Sequence, residues 1–490
     1  MKKNFLLIAV LCLISFSPVL WGQFKGLDDE LSIVNNADLR HVDSLPKIFT
    51  SGYFNGHDYY RPLVMASYLV EYQLFGLNPF FYNLDGLLLH LFNAWMVFLV
   101  VGLLLDDRRK AWWVALLFAV HPLHWEAVGN ISGRAILLCA AFTLSAAWFF
   151  LRYLKEARPS LAGLSLACFT LALLSKESAA VLIVVLGLYI TLTRQNRWLA
   201  LVPFVAVAAL NFWWRLHLGL SQFFPWANAA WALLGFTTFL KGIFTYLRLI
   251  VLPYGLYFDR SAPLLMSFFS GGFLLTWAVY IGTGTGAWLL RRKIPVMVLF
   301  CVGWFFIELL PVAQIVTSLG VHAGQISLAE HFLYIPLIPA LIVVVIAADK
   351  IFEKIEARGA LSRQAVRLLA AGLVIFLVMA SLQQSLYASN EAAMLKRSLA
   401  ANPDNARLQA LMGRLYVQKK DFAAAEGSFR KAVTLAPGEA RYRVSLGRSI
   451  ADQGRYAQAL VEYNRIPDPG PWKAMLEANI RAARQLLDKK

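Results

Sequence analysis

The chain is expected to be all-α: a polytopic membrane bundle of about 11 helices followed by a helical-repeat solenoid. Three observations predict this. Apolar residues make up 59% of the chain and charged ones only 15%, more apolar surface than a soluble fold of 490 residues can hide. Several apolar runs approach or exceed the roughly 18 residues that cross a bilayer. Beyond residue 388 the composition turns polar and alanine-rich, and it repeats every 34 residues.

Membrane helices are placed at 5–21, 83–105, 111–128, 134–151, 160–175, 178–193, 198–214, 263–290, 294–311, 332–348 and 366–387. The formal charge of +17 first suggests nucleic acid, but its distribution argues against that. Much of it lies in short clusters between apolar runs, "DDRRK" (106–110), "RYLKEAR" (152–158), "RQNR" (194–197), "RRK" (291–293) and "DKIFEKIEAR" (349–358). Lys and Arg resist translocation, so such clusters mark cytoplasmic loops. A cytoplasmic N-terminus puts all five clusters inside. It places the loop 22–82 and the tail on the opposite face. Counting 236–259 as a crossing would put "RRK" outside, so that stretch reads as interfacial or re-entrant. The first run has two lysines and an apolar core but no clear A-x-A site, so it reads as a retained helix rather than a signal peptide. The domains expected are 1–388 in the membrane and 389–490 outside. Cys12, Cys139, Cys168 and Cys301 all lie in apolar runs and suggest neither a disulfide nor a zinc site.

In the tail, Pro403, Pro437 and Pro471 are spaced by 34, as are Gly413 and Gly447, Phe422 and Tyr456, and Ala425 and Ala459. This pattern resembles the tetratricopeptide repeat. Two full repeats are expected at 405–438 and 439–472, with half a repeat before them and a capping helix at 473–488. The groove over 405–472 is the expected partner-binding surface, because such stacks hold proteins and peptides.

The outer loops hold most of the unusual polar residues. Asp28, Asp29 and Glu30 follow the first apolar run, and Arg61 lies in "NGHDYYRPL". The turn "FAVHPLHWEAVGNISGRAILL" carries His121, His124, Glu126, Asn130 and Arg134. Lys176 and Glu177 separate two apolar runs; Arg215, Arg248, Asp259, Arg260, Glu330 and His331 come later. Ionisable groups at membrane helix ends tend to face a water-filled cavity. A carboxylate there can take a proton from a nucleophile. Cations can hold a phosphate and stabilise the charge it gains on leaving. Blander readings stand beside this one. The acids could form a solvated loop face, the two histidines could ligate a metal through H-x-x-H-x-E or be structural, Lys176–Glu177 could be an ion pair, and Arg134 and Arg248 could reach for lipid headgroups.

In order, "LDDELSIVNNADL", "YYRPL", "LLLHLFNAW", "FAVHPLHWEAVGNISGRAILL", "LLSKES", "YLRLIVLPYGLYFDR" and "AEHFLYIP", followed by the repeats, resemble the transmembrane and tetratricopeptide-repeat O-mannosyltransferase-like proteins of the GT-C class. The resemblance implies a glycosyltransferase that moves a sugar from a polyprenyl-phosphate donor to a hydroxyl, Ser or Thr of a protein, with inversion. It implies a GT-C-like membrane domain and a catalytic acidic pair, Asp28 and Asp29, either of them able to be the base; Asp29 is the one favoured here. Donor contacts fall on Arg134, Lys176, Arg260, His331, Glu126, His124 and Arg61. No metal ligands are assigned, and a divalent cation (Mg or Mn) remains open. His331 stands where the family has arginine, Trp125 where a small hydroxyl residue is usual, and Ile136 where an acid often follows the arginine. The sugar pocket is therefore expected to differ, and mannose is not implied. The location expected is a bacterial inner membrane with the repeats in the periplasm. The alternatives are a GT-C enzyme acting on lipid or polysaccharide, and a non-enzymatic repeat scaffold for envelope or pilus assembly.

Overall fold

The structure is a computed structural model. It describes residues 2–26, 28–53, 59–220, 229–315, 324–357 and 362–488. The part of "NGHDYYRPL" before Tyr59 lies outside the described residues. The chain forms two compact units, one of Met1–Leu256, Leu265–Ser318 and Glu330–Ser389, the other of Tyr257–Leu264, Leu319–Ala329 and Asn390–Lys490.

The first unit is helical. Six helices among the described residues have the length and apolarity to cross a membrane: Pro79–Leu105, Ile131–Glu156, Trp198–His217, Ala229–Val251, Gly271–Leu290 and Arg363–Ala388. Shorter apolar helices are Phe5–Trp21, Pro159–Ser175, Glu177–Leu192 and Val296–Val312. Their ends are chemically marked. The Asn78 side chain accepts from Phe80 N, and the Asp107 side chain accepts from the backbone N–H of Arg109 and Lys110. Pro79 and Pro159 occupy first turns, where a missing N–H costs nothing. Only 6% of the most apolar stretch of Gly271–Leu290 is buried inside the protein, so its side chains face outward as a lipid-facing helix requires. Between helices, polar side chains bond to backbone: Ser165 Oγ to Ala146 O (2.7 Å), Ser381 Oγ to Val120 O (2.7 Å) and Ser385 Oγ to Ser15 O (2.9 Å).

The stretch 236–259, read as interfacial or re-entrant, is helical as far as Val251, within the 23-residue helix Ala229–Val251, whose length and composition would also allow a crossing. Two expectations need correction. The helix expected at 111–128 breaks after Ala119, because Pro122 lacks an N–H and holds His121 extended (ψ 128°). The helix expected at 263–290 begins at Gly271; Ser261–Pro263 is a strand of the second unit.

The second unit pairs that strand antiparallel with Gln325–Ser327, Ala262 opposite Ile326. Its helices run Glu391–Ala401, Ala406–Gln418, Phe422–Leu435, Ala440–Ala451, Tyr456–Asn464 and Lys473–Leu487. The repeat spacing has a steric cause. A Cβ on Gly413 would sit 2.8 Å from the Phe429 ring, and one on Gly447 would collide with the Tyr463 ring. The tail is not alone in this unit, as the boundary at 388 implied. Asp259, at φ 59°, accepts at Oδ2 from Asn405 Nδ2 (3.0 Å), while its Oδ1 lies 3.3 Å from Arg407 Nη1. Asn405 also caps its own helix, accepting from Leu408 N (3.0 Å). A Gly413→Leu variant would overpack this contact and cost about 1–3 kcal/mol. Faster tryptic cleavage after Arg414 and Lys419 in the intact chain would report the loosening.

Candidate active site

The first helix ends where Pro18 starts a 3-10 turn, and Asn83 Nδ2 then ties down Gly22 O (2.9 Å). The chain next turns through Lys25–Glu30. Asp29 is 1% exposed, and both its oxygens are engaged. Oδ2 accepts from Lys25 N (3.0 Å) and Oδ1 from Ser132 N (3.0 Å). Burial pushes its pKa up to about 6, against the pull of the Lys25 hydrogen bond and charge. Asp28 beside it is half-buried, and its carboxylate accepts no hydrogen bond among the described residues. Its carbonyl accepts from Ser32 Oγ (2.7 Å). The acids are therefore not a solvated loop face. One is an internal strut and the other is accessible.

The partner of Asp29 is the turn 129–134, shaped by two glycines. A Cβ on Gly129 would stand 2.5 Å from Ala388 Cβ and 2.6 Å from Trp125 O; one on Gly133 would strike the Ala127 carbonyl. Arg134, 1% exposed, bonds bidentately to Glu71 (Nη1–Oε2 2.9 Å, Nη2–Oε1 3.0 Å). It also donates to Tyr82 O (3.0 Å), pairs with Asp85 (3.0 Å) and faces the Tyr68 ring at 5.0 Å. So it neither snorkels nor lies open to a phosphate; it ties three segments together. Glu71 and Asp85 carried no sequence signal beyond being acids on apolar helices.

His124 is fully buried, its ring centre 4.3 Å from Phe118, 4.6 Å from Tyr334 and 4.9 Å from His90. His90 Nδ1 lies 2.8 Å from the Tyr334 hydroxyl, and His121 Nε2 lies 3.1 Å from Ile250 O. These histidines are core groups, so the donor contact expected of His124 has no open surface. Among the described residues no group of three or more His, Cys, Asp or Glu is arranged to hold a metal. Glu126, 3% exposed, accepts from His331 N (2.9 Å) and faces His331 Nδ1 at 3.1 Å. Next door, Glu330 accepts from Trp125 Nε1 (2.8 Å). This explains why Trp125 can replace a small residue: its indole N–H has a carboxylate partner.

Arg61 pairs with Glu177 (Nη2–Oε1 3.0 Å) and lies over Tyr59 at 4.2 Å and Tyr53 at 5.7 Å. Arg61 and Asp28 both lie within electrostatic range of Tyr53, so Arg61 and the acidic loop approach the same ring. Lys176 is half-buried beside Glu177 and makes no ion pair among the described residues. A shallow recess, with room for little more than a water molecule, is lined by Asn36, Asp38, Tyr53, Arg61 and Met65 among others. Glu308, a lone carboxylate in an apolar run, accepts from Trp304 Nε1 (3.0 Å). The apolar run masked it in the sequence, although an ionisable residue inside a membrane helix is itself a signal. Arg260 belongs to the other unit, where its guanidinium stacks on Tyr257 at 4.0 Å.

Comparison with known proteins follows the same division. A tetratricopeptide repeat family matches residues 389–440 and 410–471. Protein O-mannosyl-transferase Tmtc3 of Drosophila melanogaster is 25% identical across 94% of this chain and 58% of its own length. Protein O-mannosyl-transferase TMTC1 of Homo sapiens is 32% identical over 39% of this chain and 24% of its own. The chain thus spans little more than half of the first relative and about a quarter of the second. The structure of ArnT from Cupriavidus metallidurans bound to undecaprenyl phosphate superposes with a TM-score of 0.41 at 17% identity, covering 94% of this chain and 79% of that one. The chain is a multi-pass helical membrane protein with a tetratricopeptide tail, and its homologues carry the name O-mannosyl-transferase.

Removing Arg134 (Arg134→Met) strands Glu71 and should cost about 3–5 kcal/mol in stability. Asp85, 42% exposed, stays solvated, so Glu71→Leu added to Arg134→Met should recover part of the loss in thermal midpoint. Asp29 titrates higher folded than its ordinary value of about 3.9. The folded state then holds the proton more tightly. Its contribution to stability is greatest at low pH and falls as pH rises from about 4 to about 6. The difference in thermal midpoint between the parent and Asp29→Asn, measured from pH 4 to 7, should shrink over that interval.

Proposed function

We propose that this chain is a membrane glycosyltransferase of the GT-C kind, moving a sugar from a polyprenyl-phosphate-linked donor to a hydroxyl acceptor, Ser or Thr of a protein. One observation carries the reading: an accessible carboxylate, Asp28, rides on a buried and fully hydrogen-bonded neighbour, Asp29, at the end of the unit that also holds Arg61 and Lys176. The homologues' name agrees with it.

A general base must reach the proton it takes, within about 2.6–3.2 Å. Asp29 has neither exposed surface nor an unengaged oxygen, so the base is assigned to Asp28 and the anchor to Asp29. This reverses the preference for Asp29 drawn from the sequence, where either aspartate could serve. Asp28 takes the proton of the acceptor hydroxyl. The hydroxyl oxygen bonds to C1 of the sugar as the C1–O bond to the phosphate breaks. Attack from the face opposite the phosphate inverts the anomeric centre. Lys176 and Arg61 take the charge that develops on the leaving lipid phosphate. Lys176 has no ion-pair partner to give up among the described residues, whereas Arg61 would exchange Glu177 for phosphate. His331, which faces Glu126, is retained as a donor contact. Arg134, His124 and Glu126 act from behind this surface. The tetratricopeptide stack holds the acceptor protein. The location proposed is a bacterial inner membrane, with this surface and the repeats facing the periplasm.

The assay uses the chain in lipid nanodiscs with undecaprenyl-phosphate-linked tritiated mannose or glucose as donor probes. Folded Ser/Thr-bearing proteins and polysaccharide serve as acceptors, with and without EDTA to read any Mg or Mn requirement. Label should pass to protein. Asp28→Asn should lower the rate by about 10²–10⁴-fold, the usual worth of a general base. Parental transfer by Asp28→Asn would falsify the assignment. Label passing only to polysaccharide would move the acceptor class.

A further inference from the structure

Lys25 sits at the foot of the acidic loop and is 3% exposed. A buried ammonium is costly unless its hydrogens are all placed. Here Nζ donates to the Gly129 carbonyl and to Asn130 Oδ1 (2.8 Å). Asn130 is itself oriented, its Nδ2 donating to Glu126 O (2.8 Å). The backbone N–H of the same lysine donates to Asp29 Oδ2 (3.0 Å), while Asp29 Oδ1 accepts from Ser132 N (3.0 Å). Two segments about a hundred residues apart are thus clasped in both directions. Lys25 reaches out to 129–130, and 132 reaches back to Asp29.

We infer that Lys25 is a positioning residue for the acidic pair: its ammonium clasps the loop to the 129–132 turn and supplies the counter-charge that keeps buried Asp29 ionised, so that Asp28 is presented at a fixed height. The inference rests on the reading of Asp28 and Asp29 given above. The charged and titratable groups facing Asp29 are few. Lys25 and Asp28 lie on its own segment, and Tyr68 faces it from helix Pro62–Phe75, with Arg134 on the Tyr68 ring. Of the two cations Lys25 is the one on the same loop, bonded to Asp29 through its own backbone N–H. Its charge opposes the burial that raises Asp29. The clasp also has an electrostatic consequence that packing alone lacks. Neutralising the ammonium while keeping a hydrogen-bond donor should change how Asp29 titrates.

The test is an infrared titration of the carboxyl band in nanodiscs, with Asp29→Asn identifying the band, alongside transfer from the lipid-linked mannose or glucose probe. The parent band should titrate near pH 6. Lys25→Gln should move that midpoint up by about one unit or more and cut transfer at pH 7 by about tenfold. Lys25→Arg should return the midpoint to the parent's. A Lys25→Gln midpoint coincident with the parent's overturns the inference, as does an unchanged transfer rate. Should Lys25→Gln not fold, Asn130→Ala decides. It keeps the charge and removes one of its partners, so transfer should fall with the midpoint in place; parental transfer overturns the inference. Because the infrared midpoint needs no turnover, a failed base assignment at Asp28 and a failed role for Lys25 are told apart.

Discussion

The first unit depends on one buried carboxylate. Asp29 joins the loop after the first helix to the turn before helix Arg134–Glu156 by accepting one backbone N–H from each. A carboxylate taken out of water is unfavourable unless its lone pairs are filled by well-placed donors. Once they are filled, the group becomes a rigid joint, since any displacement exposes an unsatisfied charge. Around that joint the other buried ionic groups are arranged in the same manner. Arg134 lies between Glu71 and Asp85, Glu126 against His331, and Glu330 against the Trp125 indole. Among the described residues these ties leave Asp28, Lys176 and the rim where Arg61 meets Glu177 less enclosed.

The division between internal and open charges separates two uses of the same side-chain types. Bidentate pairing makes Arg134 a structural tie, because its planar fork matches both Glu71 oxygens at once. Lys176 has no such match among the described residues. The histidine-rich turn follows the same logic. A metal would need ligands converging on one point. Here His90 and His121 each spend a nitrogen on protein oxygens, and His124 is enclosed by aromatic rings.

In the second unit the constraint is steric. The 34-residue period exists because Gly413 and Gly447 each let an aromatic ring, Phe429 and Tyr463, rest on the backbone of the preceding helix. Two short segments from between membrane helices join this stack, one of them through Asp259, Asn405 and Arg407. That association was invisible in the sequence. Asp259 and Arg260 read there as part of a polar loop, and nothing local indicates that Asp259 accepts from Asn405 and Arg407 of the first repeat.

The sequence by itself determined the class of fold, because hydropathy and repeat period are one-dimensional signals. A run of twenty apolar residues has few fates, and glycines spaced by 34 report a stacking geometry directly. It also marked the chemistry-bearing segments, since an acidic pair beside a membrane helix and a Lys-Glu step between two others are costly to keep there. Hydropathy failed locally at Pro122, where backbone geometry breaks an apolar run into three pieces. Only the tertiary structure decided which charges are used up. Asp28 and Asp29 are neighbours of identical chemistry, and whether each is open or buried depends on Ser132, more than a hundred residues away. The same holds for Arg134, whose partners Glu71 and Asp85 sit on other helices, and for Lys25, an unremarkable lysine until Gly129 and Asn130 close around it. Pairing in three dimensions sets the solvation of a charge, and solvation separates a strut from a reactive group.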